Sequence, residues 1–119
     1  MKPVSEENQT LSIDSLRSTL SKLENSCKSM SGKNSNTTLV EKRRDAIKIG
    51  LNCLQNAWHG AEFSYSVETV RSAQCTLQEL LPSIHKQYEK VKEGSAQKTL
   101  LQRRIASIEL ALEALEEHN

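Results

Sequence analysis

From Val67 to Val91 one seam of positions runs Val67, Val70, Gln74, Leu77, Leu81, Ile84, Tyr88, Val91, spaced 3, 4, 3, 4, 3, 4 and 3. All but Gln74 are apolar. A rhythm kept for more than three heptads belongs to a helix that packs lengthwise on other helices. Ser66 stands before it as an N-cap, with Tyr65 and Val70 at hydrophobic-staple positions. Pro82 lies inside the seam and removes the amide that would bond back to Gln78, which predicts a kink or a short break there. With aromatic residues at 3% and only four glycines, sandwiches, barrels and Gly-rich nucleotide loops are disfavoured.

Three further segments read as helices. Ser12 is the expected N-cap of the first, between Leu11 and Leu16. Its apolar positions are Leu16, Leu20, Leu23, Cys27 and Met30, and its outer face is rich in Ser and Lys. Residues 1–11 are polar, contain Pro3 and read as a flexible tail before a single domain over 12–119. The stretch 31–37 breaks the period as a loop, and Thr38 with Glu41 forms a capping box for the second helix. That helix carries a large stripe (Val40, Ile47, Leu51, Leu54, Trp58) beside a small one (Ala46, Gly50, Cys53, Ala57). Two stripes imply two neighbours, one of them in close approach, so the second helix should be central. Gly60 ends it as a left-handed cap. After Gly94-Ser95 the fourth helix runs on Leu101, Ile105, Ile108, Leu112 and Leu115.

The fold expected is all-α, an antiparallel up-and-down four-helix bundle. The alternative is a three-helix core from helices 2–4 with the first helix loosely packed or swapped. No run approaches the length of a membrane span, and the first residues lack the apolar core of a secretory signal. Three cysteines without a C-x-x-C pair fit a reducing compartment, so a cytoplasmic location is expected. Cys27 and Cys53 fall on apolar stripes and should be buried and inert. Cys75 points away from its seam and should be an exposed thiol.

Residues able to carry chemistry are few. His59 sits at a helix end beside Trp58 and within reach of Glu62, while His85 and Glu89 are four apart on a helix surface. Both patterns suit ordinary helix-end and helix-surface histidines. A four-helix bundle with a surface histidine resembles histidine-phosphotransfer domains in general plan. Those domains follow the histidine with a small apolar residue, Lys and Gly, whereas this chain has Trp58-His59-Gly60-Ala61 and Ile84-His85-Lys86-Gln87. The resemblance is one of architecture, and it makes His59 and His85 the positions for a phosphotransfer-like alternative. No E-x-x-H motif occurs, and neither a metal nor another cofactor is expected.

Lys42, Arg43 and Arg44, with Arg103 and Arg104, could contact phosphates of a nucleic acid. Sixteen basic against fifteen acidic residues leave a net charge of only +1, and no aromatic stacking platform accompanies the clusters. Nucleic acid is therefore the runner-up. Ile49 and Leu110 lie opposite the apolar seams of their helices. With Glu109 and Glu113 they form the candidate surface for a protein partner, either another chain or a second copy. The function expected is non-enzymatic protein–protein interaction: an adaptor, regulator, inhibitor or export chaperone.

Overall fold

A computed structural model of the protein describes residues 2–31 and 37–119. Its helices are α1 (Glu6–Ser31), α2 (Thr38–His59), α3 (Val67–Lys90) and α4 (Ala96–Glu116). Residues 32–36, most of the expected first loop, lie outside the described residues. The four helices form an up-and-down bundle in which α2 and α4 each touch all the others, while α1 and α3 do not meet. The body is flattened, 40 × 38 × 20 Å, because the α2–α4 diagonal is short.

Local chemistry sets most of the helix ends. Ser66 and Ser95 each accept a hydrogen bond from the amide three residues on, Thr69 at 3.1 Å and Lys98 at 3.2 Å. Gly60 takes φ 69°, so that its own amide and that of Ala61 reach back to Asn56 and Gln55. A side chain there would be strained. The capping box expected on Thr38 is not what starts α2: Thr37 is the N-cap, its side chain makes no cap hydrogen bond to the backbone, and its hydroxyl instead donates to the Glu41 carboxylate at 3.0 Å. Pro82 neither ends nor interrupts α3.

The start of α1 differs from the expectation. The helix begins at Glu6, within the segment read as a tail, and Ser12 is buried inside it. Ser5 is what satisfies the first turn, its hydroxyl accepting from the Asn8 amide at 3.2 Å, and Glu6 and Glu7 complement the helix dipole. The outer face of α1 is exposed as expected, with Ser18, Ser21, Lys22, Ser26, Lys28 and Ser29 in solvent, but three hydroxyl residues nearer its start face inward. Ser12, Ser15 and Thr19 are buried, and Ser15 meets the fully buried Ser107 of α4 at 3.5 Å. Thr19 donates to the Ser15 carbonyl and Ser107 to that of Arg104, both at 2.8 Å, so these hydroxyls are satisfied within their own helices.

The core holds Leu16, Ile47, Leu54, Val70, Leu77, Ile108 and Leu115, all essentially inaccessible. The small stripe of α2 does bring a neighbour close. A Cβ built on Gly50 would stand 3.1 Å from the Ala111 Cβ of α4 and 3.4 Å from the Leu77 Cδ1 of α3. Three helices therefore converge on one glycine. Ala57, the last member of the stripe, is exposed.

Candidate interaction groove

Between α3 and α4 lies an open groove of about 680 Å³. Leu110 and Leu112 give it an apolar floor, Gln74 and Gln78 line the α3 side, and Glu109, Glu113 and Glu116 line the α4 side. Carboxylates at 109, 113 and 116 recur at helical spacing, so α4 presents them as one ridge. Glu116 is held in place: the buried Gln74 amide donates to it at 2.9 Å, and the Asn119 amide donates to Glu116 at 3.2 Å and to Gln74 at 2.7 Å. Gln74 thus joins α3 to the end of α4. Glu109 and Glu113 make no ion pair with a described residue.

The structure divides the expected partner surface. Glu109, Leu110 and Glu113 do lie together. Leu110, however, is half-buried against the core rather than free, because α1 packs on its other side near Leu11 and Ser12. Ile49 is buried at 9% exposure and belongs to a different groove of about 510 Å³ between α2 and α3. Helix α2 has neighbours on three sides, so the residue opposite its large stripe meets α3 instead of water.

The basic residues are spread over several clefts. Lys42 lines the α2–α3 groove with Asp45 and Glu68, and Arg103 lines a cleft between α1 and α4. Arg44 sits in the α1–α2 cleft, 3.0 Å from Asp45 and 3.8 Å from the Cys27 sulfur. Asp45, through its hydrogen bond and its charge, holds the Arg44 guanidinium more firmly protonated than usual. Burial works against the charge of Arg104, whose Nε has no hydrogen-bond partner among the described residues. Arg43 is half-buried.

Cys75 is exposed, as its helical phase implies. Cys53 is fully buried, and burial, reinforced by the negative charge of Glu117, pushes its thiol up to about 11. Cys27, expected to be buried, is half-exposed in the cleft with Arg44. His59 and His85 are both exposed. The third histidine, His118, packs on Phe63 with ring centroids 4.4 Å apart. Among the described residues, no three His, Cys, Asp or Glu side chains gather in a way that could hold a metal. No described helix is long and apolar enough to cross a membrane.

A feature missed by the linear reading is where the charges fall along the bundle. Contacts between Cys27 and Arg44 and between Tyr88 and Lys98 set residues 20–31, 37–48 and 79–106 at one end. Contacts between Asn52 and Tyr65 and between Gln74 and Glu116 set residues 2–19, 49–78 and 107–119 at the other. The first end carries twelve Lys and Arg against six Asp and Glu; the second carries three against nine. A net charge near zero therefore conceals two strongly charged ends. The acidic groove belongs to the second. Comparisons with protein-family models, curated proteins and solved structures give no match for this chain.

Proposed function

We propose that this protein works by binding another protein chain, as a small interaction or regulatory bundle and not as an enzyme, and that the α3–α4 groove makes the contact. One observation carries the reading: an apolar floor, Leu110 and Leu112, lies beside carboxylates at Glu109 and Glu113 that no described residue neutralises. Half-buried apolar surface on the floor of an open groove, rimmed by unsatisfied charge, favours a partner with the complementary pattern. That pattern is an amphipathic helix whose apolar face is flanked by Lys or Arg.

The test uses a fluorescein-labelled synthetic helix with one leucine face and one lysine face, titrated with protein and read by anisotropy. The wild type should bind it, and Glu109→Lys/Glu113→Lys should weaken binding about tenfold or more, near 1.4 kcal/mol. Glu62→Lys/Glu68→Lys makes the same change in net charge away from the groove and should leave affinity within about twofold, a few tenths of a kcal/mol. Equal losses in the two variants would show only a general charge effect and would overturn the assignment of the groove.

A further inference from the structure

We infer that the basic end of a second copy of this chain is a partner for the α3–α4 groove, so that copies associate head to tail. The inference rests on the groove being a contact surface, and it adds what occupies it. The two ends are complementary in charge, twelve basic against six acidic residues facing three against nine. They are also the apolar parts of the surface. The large apolar side chains most exposed among the described residues are Leu39 (53%), Leu100 (46%), Val67 (45%) and Tyr65 (36%).

Leu39 and Leu100 open α2 and α4, which run parallel with Gly50 level with Ala111, so both lie at the basic end. Lys42, Lys86, Lys90 and Lys92 share that end and are exposed. Val67 and Tyr65 lie at the acidic end, at the start of α3. An exposed leucine among lysines matches the pattern the groove requires, a leucine floor beside carboxylates. With a net charge of +1, no strong overall repulsion keeps copies apart.

Charge also selects the geometry. A two-fold pairing of grooves would set Glu109 and Glu113 against their own copies, and a pairing of basic ends would do the same with lysines. A contact of basic end to acidic groove avoids both; made head to tail it leaves a free end on each side and gives open chains that lengthen with concentration, whereas an antiparallel two-fold pair would stop at twice the mass of one chain. Exposed charges at the junction make it sensitive to salt. A polyanion such as DNA is the less favoured occupant of the basic end, because Arg44 and Lys98 are already paired with Asp45 and Glu93.

Sedimentation velocity on the full chain, under reducing conditions and at low and high salt, tests this with two variants. Lys90→Gln/Lys92→Gln disables the basic end without making it acidic, and Glu109→Lys/Glu113→Lys disables the groove. Wild-type mass should rise with concentration at low salt and return to 13.4 kDa at high salt. Each variant alone should stay at 13.4 kDa, while an equimolar mixture, which can form one junction and no more, should give a species of twice that mass. A wild type that remains at 13.4 kDa throughout, or a mixture that does not pair, overturns the inference. So does a wild type that stays single at low salt yet retards a DNA duplex. If the synthetic lysine–leucine helix still binds in that case, only the second-copy assignment falls; if it fails as well, the groove reading falls with it.

Discussion

Replacing Gly50 by leucine should destabilise the bundle by about 2 kcal/mol or more, measured by urea unfolding followed by far-UV circular dichroism. Taken alone, leucine is the better helix former by about 0.8 kcal/mol. The contact decides the sign. A Cβ at this position already stands 3.1 Å from the Ala111 Cβ and 3.4 Å from the Leu77 Cδ1. A branched side chain must therefore push α4 away from α2, and overpacking of this kind costs about 1–3 kcal/mol and occasionally more. Ala111→Leu acts on the same contact from the other side, so the double variant should lose less than the two single losses combined. A Gly50→Leu protein as stable as the wild type would mean that α2 and α4 do not approach as described.

Leu77→Ala should cost about 3 kcal/mol, within the 2–5 kcal/mol typical of a buried leucine truncated to alanine. Leu77 is completely inaccessible and stands where α2, α3 and α4 converge on Gly50, so its loss leaves a void that three helices must all shift to fill. Leu100→Ala is the control. That side chain is 46% exposed, and its removal should change stability by no more than about 0.5 kcal/mol. Urea midpoints for the pair separate a core position from a surface leucine on neighbouring helices. Equal losses would contradict the burial pattern.

Helices α3 and α4 were legible in the sequence because their starts depend on local chemistry. Ser66 and Ser95 stand where a cap is needed, and the α3 seam repeats without error from Val70 to Val91. Gly60 was legible for the same reason, and Cys75 was placed correctly by helical phase alone. The start of α1 was carried by Ser5-Glu6-Glu7, a cap followed by two acids, but a polar run of that kind also resembles an unstructured tail. Its outer Ser/Lys face was legible, but the burial of Ser12, Ser15 and Thr19 was not, because hydroxyls on a helix normally face water. Here close packing on α4 selects small side chains, with Thr19 and the facing Ser107 donating to backbone carbonyls of their own helices.

Ile49 and Leu110 show a limit of single-helix reasoning. Each lies opposite its own seam, yet α2 and α4 form the short diagonal and have neighbours on three sides, so Ile49 is buried and Leu110 is left only half-exposed in its groove. The groove was half legible: Glu109, Leu110 and Glu113 share one helix and line it together. The α3 wall, Gln74 and Gln78, needed the register between helices. The charged ends needed the topology itself, because composition adds the charges of antiparallel helices without regard to which end each occupies.

The most direct test of the contact surface is a map of backbone amide NMR shifts as the labelled wild-type protein is concentrated at low salt. Shifts should concentrate on two separate sets, the groove from Gln74 to Gln78 with Glu109 to Glu116, and the basic end around Leu39, Lys42, Lys90 and Leu100. Both sets should return to their dilute positions when salt is added. Shifts centred instead on the α2–α3 groove around Ile49 and Thr69, or scattered evenly over all four helices, would contradict the account.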